Sequence, residues 1–253
     1  MNELVVDLET KHSFDEVGGS HNRAALGVSV VGVYHYQGDR FEAYRDPESP
    51  TSESFERLSA ALRAAERVVG FNLIGFDWPV LAAVLGDWVL ELPTRDLMVE
   101  AQRSLGHRVS LDSIARETLG VGKLGSGLDA LEYYRQGDWE RLERYCLEDV
   151  RLTRDLYEYA KKRGHLLYRR GDRRGVIAVS FAESPFEGIF REAARRKSSV
   201  RMTYGTKERL VDVHRFNGTH IRAFCHLQRK VLTFRLDRVE GAEMVASSPP
   251  LFE

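Results

Sequence analysis

Two carboxylates, Asp7 and Glu9, stand two residues apart in the run Val-Val-Asp-Leu-Glu-Thr at 5–10, which otherwise reads as a buried strand. Side chains alternate along a strand, so Asp7 and Glu9 share one face while Val6 and Leu8 share the other. Adjacent like charges repel, and burying them unpaired costs on the order of several kcal/mol. The fold therefore has to bring something cationic to this face.

Two more stretches belong to the same problem. In Gly-Phe-Asn-Leu-Ile-Gly-Phe-Asp-Trp-Pro-Val-Leu, residues 70–81, a short strand ends at Asn72, a glycine-containing loop follows, and Asp77 starts a helix. In Tyr-Cys-Leu-Glu-Asp-Val-Arg-Leu-Thr-Arg-Asp-Leu-Tyr, residues 145–157, Tyr145 and Asp149 lie four apart on one helix face. Leu152 and Leu156 lie near that face and can dock it on a sheet. Four carboxylates in one pocket cannot all ionise without strong compensation. Hard divalent cations such as Mg²⁺ or Mn²⁺ provide it, because they prefer oxygen ligands. Two such ions about 3.5–4 Å apart clamp the attacking and leaving oxygens of a phosphoryl displacement.

The surrounding pattern is α/β. Strands are expected at 3–8 and 67–71, and a hairpin over 24–45 with its turn at Gln37-Gly38. Helices are expected from Ser52 or Ser54 to about Arg67, at 76–85, 110–119 and 137–163. Hairpin strands followed by alternating helices and strands imply a mixed sheet flanked by helices. The arginine- and glycine-rich stretch 169–175 reads as an exposed linker, and 177–181 as a last strand or an extension of it. A helix from Ser184 to about Arg196 and short strands at 200–204, 210–214, 219–226 and 231–236 then form a second module. The expected domains are 1–181 and 184–253.

The chain has 253 residues, 43% of them hydrophobic, enough to build cores for both modules. No apolar run approaches the ~20 residues of a membrane span, and the N-terminal residues lack a signal-peptide pattern. With Cys146 and Cys225 far apart in the chain, a disulfide scaffold is not expected, and a reducing cytoplasm is the expected setting. The net charge of −1 conceals a division: from Lys161 onward 20 basic residues face 10 acidic ones, leaving 17 basic and 28 acidic before it. A basic second module suits a polyanionic partner.

In this order and at these intervals, D-x-E, N-x-x-x-F-D and Y-x-x-x-D resemble the DEDD exonucleases of ribonuclease H-like fold, in their tyrosine branch. The resemblance covers roughly residues 1–170. VVDLET, DEVGG (15–19), LPTRDL (92–97), LGHRVSLDSIA (105–115) and YCLEDV are similar to a bacterial subgroup predicted to be exonucleases, some attached to helicases, which suggests a helicase or DNA-repair partner. The resemblance implies 3′–5′ hydrolysis of single-stranded or 3′-ended DNA or RNA with two Mg²⁺ or Mn²⁺ ions. Asp7 would bridge both ions, Glu9 and Asp149 would hold the one that activates water, and Asp77 the second. Tyr145 would orient or help deprotonate the water. Asn72, Phe76, Gly18 and Gly19 would lie near the substrate strand.

Each motif alone has a plainer explanation. An isolated D-x-E is common on edge strands, Phe76 and Trp78 suit a core, and Asp96 and Asp112 read as caps. The glycine-rich stretch GVGKLGSG at 120–127 is not a Walker A loop: that needs Gly at 117 and Ser or Thr at 124, where this chain has Glu117 and Leu124. It is expected to be a connector that at most touches a phosphate backbone.

In the second module, FREAARRKSSVRMTY, GTHIRAFCH and FRLDRV (234–239) resemble a WYL domain, a helix followed by an Sm- or SH3-like small β-barrel, although the tripeptide that names the family is here Thr219-His220-Ile221. The family implies binding of nucleic acid or a nucleotide-like ligand. Arg201, His220, Arg222, Arg235 and Arg238 are the candidate contacts, guanidinium forks being suited to phosphates. The expected function is thus a metal-dependent 3′–5′ exonuclease. The rival readings are an inactive nucleic-acid-binding or ligand-sensing protein on a nuclease fold, and a structure-specific endonuclease using the same acids.

Overall fold

The computed structural model describes residues 2–45, 53–181 and 184–245. The chain divides into two compact units, Met1–Phe181 and Ala182–Glu253. Of the two candidate caps of the first helix, Ser52 lies outside the described residues, and Ser54 lies within the helix itself.

The first unit is organised by a five-stranded sheet: β1 (Glu3–Thr10), β2 (Val28–His35), β3 (Arg40–Arg45), β4 (Arg67–Gly70) and β5 (Thr94–Asp96), in the order β3-β2-β1-β4-β5. β1, β2 and β3 pair antiparallel, whereas β4 and β5 run parallel to β1. The helices are α1 (Glu53–Ala64), α2 (Asp77–Leu85), α3 (Leu97–Leu105), α4 (Leu111–Leu119), α5 (Gly127–Gln136) and α6 (Trp139–Arg163). This is a mixed sheet flanked by helices, as the sequence pattern implies.

Alternation along β1 sorts the two faces. Leu4, Val6 and Leu8 enter one core with Phe55, Leu58 and Leu62 of α1 and Leu81 of α2. Val5 enters the other, with Leu97 of α3, Ile114 of α4 and Leu152 and Leu156 of α6. Asp7 and Glu9 continue the Val5 face beyond the point where apolar contacts end.

A glycine sets how closely α6 lies to that face. Gly32 is the ladder partner of Asp7 on β2. A Cβ at this position would sit 2.9 Å from both Cys146 Sγ and Val150 Cγ2. The absent side chain lets α6 settle onto the sheet beside Asp7, with the Cys146 thiol 3.6 Å from the Asp7 carbonyl oxygen.

Two helices, α3 and α5, were not expected. α5 begins after Ser126, whose backbone N–H is accepted by the Asp129 carboxylate at 2.6 Å. The stretch 169–175 is also not a linker. It is the turn and flanks of a hairpin, β6 (His165–Arg170) and β7 (Arg173–Ala178), in which Arg169 and Arg174 are direct partners. Opposed arginines would repel, but Glu117 of α4 lies between them, accepting from Arg169 at 2.6 Å and from Arg174 at 2.8 Å.

The second unit has α7 (Glu187–Arg196) and strands β8 (Ser199–Tyr204), β9 (Lys207–Phe216), β10 (His220–Cys225), β11 (Lys230–Arg235) and β12 (Val239–Met244). They form an antiparallel sheet in the order β11-β10-β9-β8-β12 around a core of Phe190, Val200, Met202, Val211, Ile221 and Phe234. No ladder joins β11 to β12 among the described residues. The structure therefore shows an antiparallel sheet with a helix, not the closed barrel expected from the sequence.

Because Gly32 fixes the helix-to-sheet distance, Gly32→Val should lower unfolding free energy by at least about 1–3 kcal/mol, the usual cost of overpacking a tight core. Urea denaturation followed by circular dichroism measures this. An unchanged midpoint would contradict the packing role given to Gly32.

Candidate active site

The acids come from three elements. Asp7 and Glu9 lie in the half-buried C-terminal half of β1, Asp77 opens α2, and Asp149 lies midway along α6. One oxygen each of Asp7, Glu9 and Asp149 lies within 4.8 Å of the others. Asp77 lines the same cavity, and its Oδ1 accepts the Leu8 backbone N–H at 3.1 Å. At the first turn of α2 its charge is also favoured by the helix dipole. The cavity, about 410 Å³, is lined by all four acids together with Asn72, Phe76, Tyr145 and Lys123.

The cation demanded by Asp7 and Glu9 is Lys123. Its Nζ lies 2.5 Å from Asp149 Oδ2 and 5.4 Å from the centre of the Tyr145 ring. Lys123 comes from the glycine-rich loop set aside in the sequence analysis, and the structure corrects that reading. Gly122 and Gly125 have no room for side chains: a Cβ would meet Asp112 Oδ1 at 2.6 Å in the first case and Asp129 Oδ2 at 2.7 Å in the second. The Asp112 carboxylate also accepts the Lys123 backbone N–H at 2.9 Å. The signal available in the sequence was a lone lysine between glycines, placed between the second and third acidic motifs.

One ammonium does not satisfy the cluster. Asp149 is 2% exposed, and its Oδ1 is buried without a hydrogen-bond partner. Burial, then the neighbouring charges of Asp149, Asp77 and Glu9, pushes the Asp7 carboxyl well above the ordinary range. Burial and Asp149 push Glu9 up to about 8. Burial and Asp96 push Asp77 up to about 8. Burial also raises Asp149, against the pull of Lys123. Burial and Asp149 raise the Tyr145 phenol, so it keeps its proton at neutral pH.

Asp96 holds the second motif in place. This carboxylate, 1% exposed, accepts the backbone N–H groups of Asn72 at 2.7 Å, Ile74 at 3.0 Å, Met98 at 2.9 Å and Val99 at 3.4 Å. It caps α3 and ties the β4–α2 loop to it. Asn72 adopts a left-handed conformation, φ +73°, and its Oδ1 accepts from Arg108 at 2.7 Å. The turn aims Asn72 and Phe76 at the cavity, and the Phe76 ring packs edge-on against Phe14 at 5.8 Å.

Of the other predicted contacts, Gly18 and Gly19 are not part of the cavity wall; with φ +81° and +117° they form the turn that follows Phe14. In the second unit the candidates are dispersed. Arg201 pairs across the sheet with Glu243 at 2.6 Å, and Arg235 with Asp237 at 2.8 Å. His220 is the ladder partner of Arg235, and burial followed by that guanidinium lowers its pKa, favouring the neutral ring. Arg222 is exposed on the same strand, and Arg238 lines a separate cavity of about 540 Å³ with Lys207 and Arg209.

The RNase_H superfamily model matches residues 7–161. The chain belongs to the RNase_H superfamily, and the three acidic motifs fall within the matched region. No curated protein matches. Among solved structures, the family B DNA polymerase from the hyperthermophilic archaeon Pyrobaculum calidifontis is similar in fold, with a TM-score of 0.50 and 21% identity over 63% of this chain. The chain corresponds to 24% of that polymerase.

Asp96→Ala leaves four backbone donors without their acceptor and should cost about 2–4 kcal/mol, measurable by chemical denaturation. Wild-type stability in this variant would contradict the role of Asp96. A pH dependence follows from the raised carboxyls. Carboxyls near 4 in the unfolded chain and at about 8 when folded, as for Glu9 and Asp77, bind more protons in the native state. In the presence of a chelator, their contribution to stability is full below about pH 4 and is lost as pH rises toward about 8. Thermal unfolding in EDTA should give a lower Tm at pH 8 than at pH 5, and Mn²⁺ should recover the difference. A Tm that rises over this interval would contradict the assignment.

Proposed function

We propose that this protein is a metal-dependent 3′–5′ exonuclease that hydrolyses phosphodiester bonds at nucleic acid ends by a two-metal mechanism. The observation that carries the proposal is the convergence of Asp7, Glu9 and Asp149 within 4.8 Å, inside a cavity also lined by Asp77 and Tyr145. The donor set suits Mg²⁺ or Mn²⁺: all oxygen, with the unpartnered Asp149 Oδ1 buried in the cluster. Asp7, Glu9, Asp77 and Asp149 would hold the ions. Divalent ions at such a site lower the pKa of bound water and polarise the phosphoryl oxygens.

The chain's own residues do the rest. Tyr145, on the helix face that carries Asp149 and lining the same cavity, would orient the attacking water or help deprotonate it. Asn72 and Phe76 wall the cavity where the terminal nucleotide would lie, with the polar amide and the apolar ring side by side. The volume of about 410 Å³ gives room for one nucleotide unit. Superfamily membership and the fold likeness to a DNA polymerase support nucleic acid as the substrate class.

The second unit would act as a WYL-like module, an antiparallel sheet with one helix, holding the strand or sensing a nucleotide-like ligand. Its basic charge supports this reading, and Arg222 and Arg238 are the exposed candidates. Such contacts make affinity salt-dependent. A cytoplasmic setting beside a helicase or repair enzyme fits the motifs shared with the helicase-attached subgroup.

End-labelled single- and double-stranded DNA and RNA, incubated with Mg²⁺ or Mn²⁺, test the proposal. The wild-type protein should release mononucleotides from the 3′ end. Asp7→Ala should abolish release while retaining its circular dichroism spectrum, and Tyr145→Phe should lower kcat by about 10²-fold or more. Digestion by Asp7→Ala at the wild-type rate would refute the assignment. Cleavage of a circular single strand would replace it with an endonuclease.

A further inference from the structure

Asp149 is claimed twice. Its carboxylate is one of the three that converge to hold a divalent ion, and it is also the partner of Lys123 at 2.5 Å. The Lys123 side chain is 24% exposed and, with His12, supplies the basic groups lining the cavity among the described residues. An ammonium on Asp149 Oδ2 and a divalent cation shared by Asp7, Glu9 and Asp149 would repel at contact range in a site with little water to screen them.

The loop that carries Lys123 is built to let go. Val121, Leu124, Gly125 and Ser126 are all exposed, and Leu124 is 63% exposed. On the acidic site it is fastened by polar contacts alone: the Lys123–Asp149 ion pair, the Lys123 ammonium over the Tyr145 ring, and the Gly125 carbonyl, which accepts from the Tyr145 hydroxyl at a long 3.5 Å. Its ends are held by the Lys123 N–H on Asp112 at 2.9 Å and the Ser126 N–H on Asp129 at 2.6 Å. Gly122 and Gly125 bracket the lysine, giving the backbone freedom on both sides. Segments with few buried contacts open at low cost.

Resting on the exonuclease reading, we propose that Lys123 is a built-in competitor for the catalytic cation, so that metal loading and release of the 120–126 loop are one event. Release frees Asp149 Oδ2, so that it joins the unpartnered Oδ1 in facing the ion. It also takes the Gly125 carbonyl away from Tyr145, leaving the phenol hydroxyl to face the attacking water. The site is thereby armed only when the ion is present, and until then the lysine offsets the repulsion among the acids. The class of regulator is a divalent cation with an oxygen preference, acting through a latch within the same chain.

Two measurements test this. Isothermal titration of full-length protein with MnCl₂ should show Lys123→Met, which keeps the alkyl stem over Tyr145, binding at least about tenfold tighter than wild type, equivalent to about 1.4 kcal/mol. Limited trypsin digestion of the wild-type protein, read by mass spectrometry at the Lys123–Leu124 bond, needs no variant. That bond should be protected in EDTA and cleaved in Mn²⁺. Equal affinities, or a bond that Mn²⁺ leaves resistant, would overturn the latch while leaving the exonuclease reading in place. No Mn²⁺ binding by either protein would overturn both.

Discussion

Repulsion among buried carboxylates is the constraint on which this structure depends. Asp7, Glu9, Asp77 and Asp149 lie on or beside one sheet face, each with its carboxyl pushed above the ordinary range. Such an arrangement opposes folding and persists only because the rest of the unit enforces it. The two apolar cores on either side of the sheet hold β1 rigid, Gly32 lets α6 approach, and Asp96 fixes the loop that leads to Asp77. Lys123 offsets part of the repulsion. The remainder is what a divalent cation would neutralise.

Much of the first unit was legible because its signals are local and periodic. The two-residue alternation of β1 placed Asp7 and Glu9 together, and the helical spacing of Tyr145, Asp149, Leu152 and Leu156 placed the third motif against the sheet. The features missed are non-local. No periodicity announces that Lys123 reaches Asp149 across 26 positions, or that opposed Arg169 and Arg174 are reconciled by Glu117. The short α5 was obscured by the glycines before it, although Ser126 and Asp129 carried a capping pattern. Asp96 was legible as a cap, but its hold on Asn72 and Ile74, more than 20 residues earlier, was not.

The second unit shows the opposite balance. Strands β8 to β11 were readable one by one, with the turns at Gly205 and Gly218 among those separating them, whereas β12, which pairs with β8, was not. Their use was not. Charge counting suggested a cationic face, whereas cross-strand pairing commits Arg201 to Glu243, and the turn after β11 commits Arg235 to Asp237 two residues on. The exposed Arg201–Glu243 pair contributes little stability.

The most direct test of the central claim is anomalous diffraction from crystals grown with Mn²⁺. The account predicts a peak at about 2.0–2.6 Å from carboxylate oxygens of Asp7, Glu9 and Asp149, the range of hard divalent cations on oxygen. Crystals saturated with Mn²⁺ that show no peak between these three side chains would contradict it.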